Sequence, residues 1–213
     1  MSVAIDIDSL SEDQKDSLTK DLTIRLEASK YAMNQAPTFM YPFDTDDDNV
    51  YVPFSYGVEK GFERRPLTDF PESKLKFKGH LRPAQKEVKS EVIGHFNEHG
   101  CSLISAYCGF GKTVLGTYLA CKIPVKRLVI THRIVLMNQW KLAFNKFVPK
   151  AGVQIITPKT TSLRADCDVF IMNALNVPKM SREFFEDIGM VIVDEVHRIV
   201  SATLSRSFLK LTP

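Results

Sequence analysis

Short apolar runs alternate with amphipathic stretches over the second part of the chain. Strands are predicted for five apolar, β-branched segments, at residues 102–106, 127–131, 153–157, 169–173 and 190–194. Helices are predicted for five amphipathic stretches, at residues 83–97, 112–121, 134–147, 181–187 and 202–210. This alternation predicts an α/β fold with a mostly parallel sheet that helices cover on both faces.

The first 79 residues differ in pattern and are predicted to form an accessory segment before an α/β domain at residues 80–213. Ser11 can cap a helix over residues 9–35, where apolar side chains recur at near-helical spacing until Pro37. Residues 37–79 are rich in proline, aspartate and aromatic residues, and short strands are predicted there at 49–56 and 74–77.

The composition excludes a membrane protein. No apolar run approaches the roughly 20 residues that a membrane span needs. The acidic start also lacks the basic and apolar regions of a secretory signal. We therefore expect an intracellular protein, in the cytoplasm, the nucleus or a viral compartment. The four cysteines show no CxxC spacing, so neither a zinc site nor disulfides are expected. The cysteines are expected to act as small buried hydrophobic residues.

The net charge of +3 is divided unevenly along the chain. Residues 1–75 carry a net charge of −7, whereas residues 76–213 carry +10. The basic second part suits a polyanionic partner such as a nucleotide or a nucleic acid. Lysines scattered over solvated helix faces would give the same count, so the charge alone does not distinguish a surface that binds a polyanion from an ordinary solvated surface.

Residues 106–113 have the sequence AYCGFGKT and lie between a predicted strand and a predicted helix. Gly109 and Gly111 allow positive φ angles and a close approach of backbone N–H groups to phosphates. Lys112 can reach the β- and γ-phosphates, and the Thr113 hydroxyl can ligate Mg²⁺. ATP is therefore predicted to bind the whole loop, at Ala106, Tyr107, Cys108, Gly109, Phe110, Gly111, Lys112 and Thr113.

Residues 194–197, with the sequence DEVH, follow the last predicted strand. Carboxylates at the carboxyl end of a parallel strand lie in the crevice where ligands bind. Asp194 is placed to hold Mg²⁺, and Glu195 can take a proton from the attacking water. His197 can sense the nucleotide. The predicted catalytic residues are Lys112, Asp194, Glu195 and His197.

These residues together resemble the superfamily 2 DExH helicases over residues 80–213, with the motifs in the family's order. The general phosphate loop opens with glycine, whereas helicases commonly have alanine at that position. Ala106 occupies it here. The pentapeptide LRPAQ at 81–85 resembles the upstream glutamine motif of the XPB-like and large-DNA-virus branches. The resemblance implies a RecA-like domain that binds ATP and Mg²⁺, with Gln85 contacting adenine and Arg82 as its neighbour.

Residues 131–140 are similar to the motif with which this family touches the nucleic-acid backbone. Trp140, on the helix behind that motif, is expected in the core rather than stacked on a base. Two later segments resemble strand-binding loops, and the XPB-like character favours DNA over RNA. The nucleic-acid contacts implied are Thr131, Arg133, Thr157, Lys159 and Asn173.

The family's next motif, Ser-Ala-Thr, is expected beyond the acidic box, whereas the SAT at 201–203 is interpreted as the start of a helix. We therefore expect a second RecA-like domain, with its arginine finger, to be supplied in cis or in trans. The 213 residues alone should bind ATP, hydrolyse it feebly and not unwind a duplex. Two alternatives are a nucleic-acid-binding module with a vestigial phosphate loop, and an interaction protein that works through residues 1–75.

Overall fold

The computed structural model describes residues 1–26, 38–199 and 201–213. Its N-terminal elements are β1 (Ser2–Asp6), α1 (Glu12–Asp21), β2 (Ile24–Leu26), β3 (Thr38–Met40), β4 (Asp44–Thr45), β5 (Asn49–Pro53) and α2 (Phe54–Glu59). The later elements are α3 (Pro83–His99), α4 (Lys112–Ala120), β6 (Lys126–Thr131), α5 (Ile134–Phe147), β7 (Val153–Ile156), β8 (Val169–Asn173), β9 (Ile188–Val193) and α6 (Ala202–Ser207).

The later strands form a four-stranded parallel sheet in the order β7-β8-β6-β9. Val129 and Ile171 are paired in register and face α5, which contributes Met137 and Phe144 to that side of the core. Alternate residues such as Met172 face the other side, which α6 and the chain after β8 cover. Both faces are therefore buried, and the predicted α/β fold with a mostly parallel sheet is confirmed.

Four predicted helices appear at nearly their predicted bounds or with shorter ends. Pro83 occupies the first position of α3, and Gly100 ends it with a φ of 68°, a value that favours glycine. The structure places α5 at its predicted bounds, 134–147. Ser201 caps α6, which agrees with the interpretation of residues 201–203 as a helix start. No helix in the described ranges combines the length and apolarity that a membrane crossing requires.

The prediction of a strand at 102–106 is wrong. These residues pair with no strand among those described, and Leu103 is 80% exposed. An apolar, β-branched run forms a strand only if a neighbouring strand takes up its backbone hydrogen bonds. The outer edge of β9 is likewise without a partner in the described chain. The predicted strand at 74–77 is also unpaired, apart from a single bridge between Glu72 and Val125 beside it.

The predicted helix at 181–187 is reduced to a short 3-10 turn at Glu183–Phe185. The predicted helix at 202–210 divides into α6 and a 3-10 turn at Phe208–Lys210. Burial also differs from expectation among the cysteines, because Cys167 is buried whereas Cys108 is exposed. The two remaining cysteines are half-buried.

The N-terminal strands β1, β5 and β4 form an antiparallel sheet with its own apolar core, in which Val3, Leu18 and Val52 are buried. Ser11 caps α1, with its hydroxyl accepting from the Gln14 amide. The helix ends at Asp21, so the predicted helix over 9–35 is wrong in its extent, and residues 27–35 of it lie outside the described residues. The strand predicted at 49–56 ends at Pro53, because α2 begins at the next residue.

The N-terminal sheet contacts the end of the chain directly. The Ser2 amide donates to the Leu211 carbonyl at 2.8 Å, and the Ser2 hydroxyl donates to the Leu209 carbonyl at 2.6 Å. Arg182 lies 3.2 Å from the centre of the Tyr51 ring and also donates to the Leu209 carbonyl. The sheet of residues 1–53 is thus held against the α/β part by buried polar contacts as well as by apolar packing.

Candidate functional site

The parallel sheet brings the predicted site residues to one edge. Asp194 follows β9 directly, Thr131 ends β6, Asn173 ends β8 and Thr157 follows β7. Because the strands are parallel, all four residues lie at the carboxyl edge, in the order in which the strands are paired. This edge is where α/β proteins bind ligands.

The phosphate loop is held open by two glycines. Gly109 and Gly111 have φ angles of 81° and 88°, as expected for turns that only glycine adopts without strain. A Cβ at Gly111 would lie 2.6 Å from the Gln85 amide nitrogen and 2.8 Å from the Arg82 guanidinium. A larger residue there would be strained by this φ and would displace the two side chains. Lys112 begins α4 and donates to the Ala106 carbonyl at 2.9 Å, so its ammonium group bends back over the loop.

Arg82 and Gln85 brace this loop from α3. The Arg82 guanidinium donates to the Gly109 carbonyl at 3.0 Å and also to the Phe110 carbonyl. The Gln85 amide donates to the Phe110 carbonyl at 3.0 Å and accepts from the Arg82 backbone amide at 2.9 Å. Gln85 is 2% exposed, so its amide is fully used inside the protein. The contact between Gln85 and adenine stays a prediction, and it would require the Gln85 amide to exchange partners.

The acidic box lies beside the buried face of α5. The Trp140 indole N–H donates to the Asp194 carboxylate at 2.9 Å, and the Asp194 backbone amide donates to the Ile130 carbonyl at 2.9 Å. The indole therefore orients the carboxylate, while the backbone of Asp194 is held by β6. Trp140 is 3% exposed, as expected for a core residue. Sequence patterns gave no signal for its hydrogen bond, since the two residues are 54 positions apart.

Glu195 and His197 leave the sheet in a strained turn. Glu195 has a φ of 54°, in the left-handed region that side chains rarely adopt. Its carboxylate lies 3.4 Å from the His197 imidazole nitrogen Nδ1. Both side chains retain exposure to solvent, 35% for Glu195 and 64% for His197. An exposed carboxylate held by its backbone can receive a proton from water.

Helix α5 joins the phosphate loop to the acidic box. The Gln139 amide donates to the Thr113 hydroxyl at 3.4 Å, and the next residue, Trp140, binds Asp194. Gly116 of α4 faces the Trp140 ring, where an added Cβ would lie 2.6 Å from the ring. The two predicted metal ligands therefore contact consecutive residues of one helix. They lie on the same side of the sheet, which is what one shared Mg·ATP site requires.

The donor set fits a magnesium nucleotide. Mg²⁺ prefers hard oxygen ligands, which the Thr113 hydroxyl and the Asp194 carboxylate provide. The start of α4 offers backbone N–H groups without intrahelical partners, and its dipole favours an anion. A Cβ at Gly109 would meet nothing within 4 Å, so this part of the loop is open to an approaching phosphate. Lys112 adds a mobile cation beside it.

The predicted nucleic-acid contacts differ in accessibility. Arg133, Thr157 and Lys159 are exposed. Thr131 is 0% exposed and donates its hydroxyl to the Arg133 carbonyl at 3.1 Å, so in this structure it shapes the turn and does not reach the surface. The Asn173 side chain accepts from the Leu175 amide at 3.0 Å and caps the following turn. The exposed cations at this edge are the better candidates for phosphate contacts.

Comparison with known proteins adds a family and several relatives. The family model described as "Type III restriction enzyme, res subunit" matches residues 78–211. A candidate helicase, 161L, of Invertebrate iridescent virus 6 is 38% identical over 172 residues, which is 78% of this chain and 39% of that protein. The general transcription and DNA repair factor IIH helicase/translocase subunit XPB of Dictyostelium discoideum is 26% identical over 216 residues, 87% of this chain and 26% of that protein.

Solved structures share the fold at low identity. The UvsW helicase of bacteriophage T4 has a TM-score of 0.63 and 16% identity, and the match covers 96% of this chain and 83% of that one. The SWI2/SNF2 ATPase core of Sulfolobus solfataricus, solved in complex with dsDNA, has a TM-score of 0.53 and 17% identity over 68% of this chain and 32% of that one. The sequence relatives above are longer, since the chain spans 39% and 26% of their lengths.

Proposed function

Because the chain belongs to the type III restriction enzyme res-subunit family, within the superfamily 2 helicases, we propose that it is the ATP-binding half of an ATP-dependent nucleic-acid helicase or translocase. Its ligands are Mg·ATP and a nucleic-acid backbone. One observation carries the proposal: consecutive residues of α5 contact both Thr113 and Asp194.

The phosphate loop binds the triphosphate through its backbone and Lys112. Positive φ angles at Gly109 and Gly111 turn the loop back on itself, and Arg82 and Gln85 hold that shape through its carbonyls. Lys112 donates to the Ala106 carbonyl at 2.9 Å and exchanges this partner for phosphate oxygens when nucleotide binds. The remainder of the loop, at residues 106–110, lines the phosphates.

The acidic box handles the metal and the water. Thr113 and Asp194 would hold Mg²⁺, which neutralises charge on the phosphates when it is bound. Trp140 keeps the Asp194 carboxylate in one orientation through its indole N–H. Glu195 accepts a proton from the attacking water, and His197, 3.4 Å from it, responds to the change of charge on that carboxylate.

The nucleic acid binds the carboxyl edge of the sheet through cations. Arg133 lies at the start of α5, about 10 Å along the helix from Trp140 at 1.5 Å per residue. Helix α5 therefore joins a phosphate contact at Arg133 to the contact that Trp140 makes with Asp194. Lys159 follows β7 and extends the same edge. DNA is favoured over RNA on the XPB-like character of the motifs at 81–85 and 131–140.

Full hydrolysis and stepping need a second RecA-like domain, supplied in cis or in trans. In phosphoryl-transfer enzymes an arginine finger contributes about 10³–10⁵ to the rate. The described residues should therefore bind ATP tightly enough to measure and hydrolyse it slowly. A second grip on nucleic acid comes with the second domain, so this chain alone should not unwind a duplex.

Calorimetric titration with Mg·ATP tests the proposal. Lys112→Ala should abolish measurable binding, because it removes the cation that meets the phosphates. Lys141→Ala changes an exposed lysine of the neighbouring helix α5 and should bind as the parent does. Mg·ATP binding that Lys112→Ala leaves unchanged would contradict the proposal. No measurable Mg·ATP binding by any of the three proteins, with unchanged nucleic-acid binding, would favour a module with a vestigial phosphate loop. Unwinding of a duplex by the purified chain alone would also contradict the proposal.

A further inference from the structure

A row of lysines lies on an extended segment that the proposed site does not use. Residues 74–78, with the sequence KLKFK, alternate between exposed lysines and apolar residues that pack beside α5. In an extended chain alternate side chains point to the same side and lie about 6.6 Å apart, at 3.3 Å per residue. Lys74, Lys76 and Lys78 are all exposed and line one groove, as this alternation predicts.

The segment is fixed at both ends. At its start the Ser73 amide donates to the Pro124 carbonyl at 2.9 Å. At its end the Lys78 amide donates to the Phe147 carbonyl at 2.6 Å, and the rings of Phe77 and Phe147 stack with centroids 5.2 Å apart. A binder whose backbone is already ordered loses less conformational entropy when its ligand arrives. The lysine row is thus preorganised, unlike lysines on a free loop.

A groove of about 500 Å³ runs beside this row, lined by its lysines together with Pro149, Lys150 and Asp168. The Asp168 carboxylate accepts from the Ser73 hydroxyl at 2.8 Å and from the Gly152 amide at 3.0 Å, so it is held by the wall of the groove and not by a lysine. Lys74 is paired with the Glu72 carboxylate at 2.5 Å, whereas among the described residues no carboxylate lies within 4.0 Å of the ammonium groups of Lys76, Lys78 and Lys150. The groove is accordingly positive.

Behind the groove a buried arginine anchors its wall. Arg127 is 0% exposed and donates to the Ser73 hydroxyl at 3.0 Å and to the Ser73 carbonyl at 2.9 Å. Burial lowers the pKa of the Arg127 guanidinium to about 10, so it stays protonated at neutral pH. The Ser73 hydroxyl accepts from Arg127 and donates to Asp168. Asp168 is thus linked to the buried guanidinium through Ser73, which explains why this carboxylate can lie in the groove without pairing with a lysine.

The groove lies at the opposite end of the sheet from the nucleotide site. Lys150 precedes β7 and Asp168 precedes β8, which places both at the amino ends of parallel strands. A five-residue strand separates the two edges by about 16 Å. The groove is therefore a separate surface, and not an extension of the row formed by Arg133 and Lys159.

We propose that this groove binds the phosphodiester backbone of a nucleic-acid strand, as a second contact remote from the carboxyl edge. The spacing of the lysines along the extended segment is comparable with that of adjacent phosphates on a strand. Such contacts position nucleic acid without reading its sequence. The proposal rests on the proposed function only in taking nucleic acid as the ligand, and its residues are not shared with that site.

The test is the salt dependence of binding to a labelled oligothymidylate, followed by fluorescence anisotropy between about 50 and 200 mM salt. A Lys76→Gln, Lys78→Gln, Lys150→Gln variant loses three phosphate contacts. The slope of log K against log salt should become less negative by about 2, at roughly 0.7 for each contact with a single strand. A Lys20→Gln, Lys86→Gln, Lys141→Gln control has the same net charge and should keep the parental slope, because these exposed lysines lie outside the groove.

The remaining outcomes are distinguishable. A groove variant with the slope and affinity of the control overturns the proposal. Binding to polyglutamate tests an acidic peptide as the ligand: a groove variant that keeps oligonucleotide binding but loses polyglutamate binding also overturns the proposal. An Arg133→Gln, Lys159→Gln variant reports on the carboxyl edge independently. If it binds as the parent does while the groove variant is weakened, the proposed contacts at that edge fail and the groove stands. Unchanged melting temperature and Mg·ATP binding in the groove variant show that it is folded.

Discussion

Glu195 carries backbone strain at the point where the proposed chemistry takes place. Its φ of 54° is the only positive value among the described residues other than glycine. A left-handed conformation costs such a residue about 1–2 kcal/mol, and strain of this kind persists where a site requires it. The turn directs the carboxylate out of the sheet toward solvent and His197, where a proton acceptor for water is needed.

Replacing Glu195 by glycine or by alanine separates the strain from the chemistry. Both variants lack the carboxylate, so both should lose ATP hydrolysis. Glu195→Gly relieves the strained φ, whereas Glu195→Ala keeps it. The Glu195→Gly protein should therefore melt about 2–4 °C above the Glu195→Ala protein, as expected for a difference of about 1 kcal/mol in the free energy of unfolding of a chain of this size. Equal melting temperatures, or hydrolysis retained by either variant, would contradict the role given to this turn.

Single residues were predictable where their chemistry is local. The loop glycines follow from the sequence AYCGFGKT alone, because a phosphate loop needs positive φ at fixed positions, and Gly109 and Gly111 have it. The bond from Trp140 to Asp194 was not predictable, because it depends on how α5 packs across the sheet. The burial of Thr131 escaped prediction for the same reason.

Between elements, the contact of α4 with α5 sets the distance between the phosphate loop and the acidic box. Gly116 permits this contact, since a Cβ there would lie 2.6 Å from the Trp140 ring. Gly116→Ala should therefore push the ring or the helix aside, at a cost of about 1–3 kcal/mol for overpacking. Thermal unfolding measures the loss of stability, and the affinity for Mg·ATP measures the effect on the site.

Gly94 provides the matched control for that substitution. It lies in α3, and a Cβ there would meet nothing within 4 Å. Gly94→Ala should stabilise the protein by about 0.5–1 kcal/mol, because alanine favours the helix. The two substitutions add the same methyl group and should have opposite signs. A Gly116→Ala protein as stable as Gly94→Ala would show that the α4–α5 contact is loose.

Elements were predictable where a pattern suffices, and not where a partner is required. Helix α5 and strand β8 appear at their predicted bounds, because their periodicity and burial agree. Residues 102–106 carry an equally good strand pattern but remain unpaired in the described chain, with Leu103 exposed. Strand pairing depends on a neighbour that the local sequence does not contain.

At the scale of the whole molecule, Arg182 connects the N-terminal sheet with the α/β part. Its guanidinium lies over Tyr51, donates to the Leu209 carbonyl at 2.6 Å and lies 3.3 Å from the Asp44 carboxylate. Arg182→Ala should destabilise the protein by about 1–3 kcal/mol, because buried acceptors lose their donor. Amide hydrogen exchange should quicken in β1, β4 and β5 more than in the parallel sheet.

Arg206 is the control for this connection. It also approaches Asp44, at 3.6 Å, but its side chain is 67% exposed, and exposed ion pairs contribute little. Arg206→Ala should therefore leave stability and exchange nearly unchanged. If the two arginine variants behave alike, Arg182 does not hold the N-terminal sheet in place. This long-range arrangement joins residues more than 130 positions apart, which no pattern in the sequence could indicate.

The fluorescence of Trp140, the only tryptophan in the chain, tests most directly whether the phosphate loop and the acidic box share one Mg·ATP site. Its indole N–H donates to Asp194, so a metal ion held by that carboxylate changes the surroundings of the ring. Mg·ATP should produce a saturable change in emission in the parent and in Lys141→Ala, and none in Lys112→Ala. ATP that binds by calorimetry without altering this emission, or a change that persists in Lys112→Ala, would contradict a shared site.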